Sequence, residues 1–166
     1  MNSISRTHFN DDCDPCVKEK KACPTLIKCG TPGATTIPLA TIVGTSFTVS
    51  SLSLNTSSLC NPVTRLEFTS NIVATAFIGS ITFQVFKLCN NQFTPVPVGP
   101  TFTYSRLLAV TDSDTFTFFI CDSDSCNNEC CTYTVVATVN AITVGVLNIN
   151  NATLSAISTC STSQCC

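Results

Sequence analysis

The chain has 166 residues with 13 cysteines, one histidine, 8 basic and 10 acidic residues. That length holds one domain, or one domain plus an arm, and suffices for a core of its own. A net charge of −2 with a pI near 5.1 leaves no basic patch for nucleic acid, and 44% apolar content argues against disorder.

Residues 1–30 hold half of all the charged residues together with Cys13, Cys16, Cys23 and Cys29. They are broken by Pro15 and Pro24 and follow neither a 3.6 nor a 2 period, so they read as an arm. The first twelve have no apolar run and carry Asp11 and Asp12 where a cleavage site would be approached, which is not the pattern of a secretory signal. So many cysteines without an export signal leave three routes: the thiols bind metal, stay reduced, or oxidise after release from the cell.

From Thr35 onward the period is 2, with β-branched and aromatic residues enriched. Phe47 and Val49, then Leu52 and Leu54 in shifted phase, predict a strand with a bulge near Ser50–Ser51. Leu66 and Phe68 oppose Arg65 and Glu67, and Ile81, Phe83 and Val85 oppose Thr82 and Gln84. Phe102, Tyr104, Arg106 and Leu108 form a further candidate that carries a charge in its apolar phase. Phe116, Phe118 and Ile120 come next, then Tyr133 to Val139 at every second position, leading into Ile142, Val144, Val146, Leu147 and Ile149. Turn chemistry falls at Asn61-Pro62, Gly79-Ser80, residues 95–100, Asp112-Ser113-Asp114 and residues 122–128. The pattern predicts an all-β fold of roughly eight to ten short strands and no helix, an antiparallel β-sandwich with the jelly roll preferred. The sandwich is expected over 31–159, between the arm at 1–30 and a Cys-rich tail at 160–166.

The motifs that could carry chemistry are sparse. Cys13-x2-Cys16 has zinc-knuckle spacing, but no second such pair follows and His8 is the only imidazole. Asp112/Asp114 and Asp122/Asp124, with Asn127, Asn128 and Glu129, resemble calcium ligands but lack the glycine such a loop requires. No metal is assigned. The six glycines stand singly, so no phosphate loop and no cofactor is expected, and without a second histidine there is no Cys–His pair. An enzyme is not expected, nor is a membrane span, since no run of 18 apolar residues exists.

Disulfide chemistry fits the cysteines better. Thirteen is odd, so pairing within one chain leaves at least one thiol over. Adjacent cysteines rarely bond each other, so Cys165 and Cys166 are expected to reach different partners and to suit bridging to a neighbouring subunit; staples within the chain are the plainer alternative. The surface points the same way. β proteins usually guard edge strands with charge, yet the chain has none from Cys130 to its last residue, while 132–139 and 141–144 are good β formers. Such a chain is an aggregation hazard unless a neighbour occupies its edges by β-augmentation, and head-to-tail contacts of that kind build filaments.

A Cys-bearing arm ahead of a Thr/Ser/Val-rich β body of about 130 residues, with scattered body cysteines and no export signal, resembles the subunits of endospore appendage (Ena) fibres of spore-forming Gram-positive bacteria. Here the arm cysteines are separated by Asp14-Pro15, whereas that family's are typically adjacent. The resemblance implies a jelly-roll body, subunits joined by sheet augmentation, and arm cysteines cross-linked to subunits further along the fibre. Cys13 and Cys16 would be the connector thiols, with acceptors among Cys29, Cys121, Cys126, Cys130 and Cys131. The implied partner is the chain itself as a homopolymer, with spore-surface anchoring proteins beyond it. The implied location is the spore surface, reached by mother-cell release. A metal-stabilised binding module and a viral capsid or tail jelly-roll protein are the alternatives.

Overall fold

A computed structural model describes residues 23–90, 92–123 and 130–161. The expectations placed on Cys13, Cys16, Cys126, Cys165 and Cys166 lie outside them, as does Cys13-x2-Cys16 as a zinc site. The described chain forms seven strands: β1 (Leu26–Cys29), β2 (Gly33–Ile37), β3 (Ser46–Asn55), β4 (Pro62–Cys89), β5 (Val96–Asp122), β6 (Cys130–Val139) and β7 (Val144–Cys160). Every pairing is antiparallel.

Two of these strands are long enough to serve both layers of a sandwich. β4 and β5 make one hairpin, paired from Thr64↔Asp122 to Lys87↔Val96, whose register slips between Ala74 and Gly79. Up to Ile78, β4 also pairs with β7; from Ile81 to Cys89 it pairs with β6 instead. The hairpin is therefore folded over, and each half joins a different layer. One layer runs β1 and β2, β7, the first half of β4, the second half of β5. The other runs β3, β6, the second half of β4, the first half of β5. Taking β1 and β2 as one edge segment and numbering segments in chain order, the layers read 1-8-3-6 and 2-7-4-5, the interleaved order of a jelly roll.

The eight to ten short strands expected from the pattern are thus seven, because the ladder runs through two of the supposed turns. Gly79-Ser80 lies inside β4, and Asp112-Ser113-Asp114 lies inside β5. Both mark the bend of the hairpin, where Ala76 takes a positive φ of 47°. β1 falls within the stretch that the sequence assigns to the arm; four residues are too few to show a period. The bulge in β3 comes at Val49–Ser50, where two consecutive residues face inward and the register to β6 shifts.

The layers meet through an aromatic seam. Phe68 and Phe83, from the two halves of β4, lie 5.8 Å apart across the core, and Phe102 stacks on Phe118 at 4.2 Å. Leu66, Phe68, Ile81, Phe83 and Val85 are fully buried, as are Val135, Ala137 and Val139 of β6, which accounts for the alternation in the sequence. At the bend pole the backbones close up. Gly145 has a positive φ of 74°, and a Cβ there would run into the carbonyl of Ala76. No helix among the described residues is long and apolar enough to cross a membrane, which does not bear on crossing by strands.

Candidate cross-linking pole

The cysteines gather at the pole opposite the bend. Pairing places Pro62 beside Cys160, Thr64 beside Asp122, Leu54 beside Cys131 and Asn55 beside Cys130. The end of β3, both ends of β4, the end of β5, the start of β6 and the end of β7 therefore converge. Cys60 joins them just before β4, its amide donating to Sγ of Cys160 at 3.4 Å. Cys29 stands apart, on β1 opposite Ser155.

Two disulfides tie this pole within the chain. Cys23–Cys160 fastens the segment before β1 to the end of β7, and Cys89–Cys131 joins direct cross-strand neighbours on β4 and β6. Cys131, one of the cross-link candidates, is thus bonded within the chain. It faces inward at 8% exposure, directly opposite a second inward thiol, so its partner is already in place. Three other candidates carry free thiols: Cys29 and Cys121 are exposed and Cys130 is half-buried.

Beneath the thiols lies a buried ion pair that the sequence reading did not single out. Nζ of Lys87 is 2.7 Å from Oδ2 of Asp122, and the two side chains are only 4% and 5% exposed. Tyr133 donates its hydroxyl to the same oxygen at 2.8 Å. The pair joins the layers, Lys87 coming from the second half of β4 and Asp122 from the second half of β5. Next to it is a cavity of about 10 Å³ lined by Leu54, Pro62, Thr64 and Cys131, roughly the space of one water. The signal was present in the sequence: one step beyond Ile81, Phe83 and Val85 in the inward phase is Lys87, and one step beyond Phe116, Phe118 and Ile120 is Asp122.

Asp112 and Asp114, candidate calcium ligands by sequence, sit at the bend pole and both accept from Arg106. The amide of Ser113, and then Arg106, hold the Asp112 carboxyl below its ordinary range. Asp122, from the second pair, is held by Lys87. Among the described residues no three metal-ligating side chains cluster.

The sheet edges differ in how they are guarded. β1 and β2 are short, with 4 and 5 residues. The first half of β5 carries Pro97 and Pro100, which have no N–H to offer a neighbour, and its bend carries Arg106, Asp112 and Asp114. β3 is ten residues long with no charge, and residues 115–121 of β5 are also uncharged and include Phe119, 60% exposed beneath Arg65. Among the described residues β3 pairs only with β6, and β5 only with β4. The two uncharged edges belong to opposite layers; along part of β3 the chain's own residues 30–35 lie close, Thr35 donating its hydroxyl to the carbonyl of Thr48 at 3.4 Å.

Residues 23–159 match a family model described as "Domain of unknown function (DUF4489)". Among curated proteins none matches. Solved structures with a related fold include a carbohydrate-binding module from the beta-sandwich super family, at 9% identity and a TM-score of 0.34, covering 77% of this chain and 55% of that one. A structure of infectious bursal disease virus, Gx strain, has 8% identity and a TM-score of 0.41, covering 81% of this chain and 37% of that one. The enzymatically active domain of bacteriophage CBA120 tailspike protein 4 has 11% identity and a TM-score of 0.39, covering 78% and 19%. The chain spans little more than half of the first and much less of the others. The jelly-roll assignment rests on the strand pairing described above.

Proposed function

This chain belongs to the DUF4489 family, and we propose that it is a structural, self-assembling subunit of a disulfide-cross-linked extracellular fibre. The observation that carries the reading is the pair of long uncharged edges, β3 and residues 115–121 of β5, on opposite layers of one sandwich. An edge of this kind offers a row of main-chain donors and acceptors to another strand. Because the two edges are different surfaces, the contact is head-to-tail, and it propagates instead of closing into a dimer.

The thiols supply the second bond. Cys121 ends the uncharged stretch of β5, and Cys130 lies on β6, one strand in from the end of β3, so one edge carries a free thiol and the other has one beside it at the same pole. Sheet augmentation brings subunits into register, and oxidation then locks them, with Cys13 and Cys16 of the arm as further donors. Such locking suits a chain made in a reducing cell and oxidised after release, as the likeness to endospore appendage subunits implies. On this reading the partner is a second copy of the chain, and the place is the spore surface.

Electrophoresis of native material without reductant tests the cross-links. The reading expects a ladder of multiples that collapses to one band when reductant is added. A single monomer band under both conditions would remove the cross-linked fibre from consideration.

A further inference from the structure

The geometry points to an intramolecular amide (isopeptide) bond between Lys87 and Asp122, formed without any added reagent. A primary amine and a carboxyl group are held in contact, Nζ 2.7 Å from Oδ2, on two strands of opposite layers. Removing an ammonium and a carboxylate from water costs several kcal/mol each, and their attraction repays it only in good geometry. Condensation eliminates both charges and leaves an uncharged amide at the same place.

The step balances without an oxidant. A proton passes from Nζ of Lys87 to Oδ2 of Asp122, giving an amine and a carboxylic acid. The nitrogen lone pair attacks Cγ, the Cγ–Oδ2 bond breaks, and Oδ2 departs as water. Two of the three ammonium protons leave with that water, and the third remains on the amide nitrogen. The hydroxyl of Tyr133, 2.8 Å from Oδ2, donates to the oxygen that leaves and so assists its departure. In bulk water hydrolysis is favoured over such a condensation. Well-oriented groups reach effective molarities of up to about 10⁵–10⁸ M, which lowers the barrier to condensation, and the desolvation cost of the two buried charged reactants shifts the equilibrium towards the uncharged amide. The adjacent cavity of about 10 Å³ has room for roughly the one water released, and burial of both groups keeps solvent from reversing the step.

The link is within one subunit, so it forms whether or not subunits polymerise. It would join the second half of β4 to the second half of β5 at the pole where the neighbour is cross-linked, and so carry load between layers.

Mass spectrometry of the reduced, alkylated protein decides the matter. The chain should be lighter than its sequence by the mass of one water. Trypsin should fail to cut after Lys87 and should release residues 66–106 joined to 107–166. Lys87→Arg keeps a cation facing Asp122 but offers no amine, and should return the full mass. Tyr133→Phe should yield a mixture of full and dehydrated chains. Wild-type protein at full mass, with 66–87 and 107–166 recovered separately, overturns the proposal whatever the variants do. A water deficit that survives in Lys87→Arg overturns it as well.

Discussion

Lys87→Met removes the amine that faces Asp122 and leaves that carboxyl buried beside Tyr133, whose hydroxyl donates to it. Leaving one member of a buried pair behind costs about 3–5 kcal/mol, and the link between the layers is lost with it, so the stability measured by urea unfolding should fall by at least that much. At the bend pole the effect is electrostatic and exposed. The Asp112 carboxyl is held below its ordinary range first by the Ser113 amide and then by Arg106. A depressed folded value means that the contribution is present at neutral pH and is lost as pH falls through that depressed value. Carbon NMR titration should therefore give Asp112 a midpoint below the ordinary aspartate value. Arg106→Gln should raise that midpoint but leave it below ordinary, since the amide of Ser113 remains. Which residues face inward was legible in the alternation, but which inward residues are polar partners was not. Lys87 and Asp122 each extend an apolar phase by one position. Only the folding-over of the hairpin brings them together, 35 residues apart in sequence.

Strand identity was legible wherever two faces differ, as in Leu66 and Phe68 against Arg65 and Glu67. Strand continuity was not, because Gly79-Ser80 and Asp112-Ser113-Asp114 have turn composition yet serve as bends within unbroken strands. The same chemistry satisfies both, since a bend and a turn alike need residues that tolerate local departures from extended backbone. The bend depends on close backbone approach at Gly145. Gly145→Ala should lower stability by about 1–3 kcal/mol in thermal melts, through a strained positive φ and a Cβ driven against the carbonyl of Ala76. β3 carries a different prediction. Ser51 and Ser53 are outward-facing on an edge without charge, so lysines there touch no buried group. Ser51→Lys with Ser53→Lys should change folding stability by no more than about 0.5 kcal/mol per site, yet suppress assembly seen by light scattering.

At the scale of the molecule, polarity is the organising fact. One pole holds the hairpin bend; the other gathers the ends of five strands with two disulfides, the free thiols of Cys121 and Cys130, and the Lys87–Asp122 contact. Paired strands carry cysteines from distant parts of the sequence to one place, which is why cysteine spacing alone could not divide within-chain staples from cross-links. Cys131 shows the difficulty. Beside Cys130 in sequence and separated from it only by the pleat, it turns inward to Cys89 while its neighbour keeps a free thiol. The uncharged edges on opposite layers are the surfaces that the proposed assembly uses, each unit adding to its like in one direction. Negative-stain electron microscopy of the purified chain tests this most directly. The account predicts long, thin filaments of a repeating unit, absent from the Ser51→Lys, Ser53→Lys variant. A field of separate particles at every concentration, for wild type as for the variant, would contradict it.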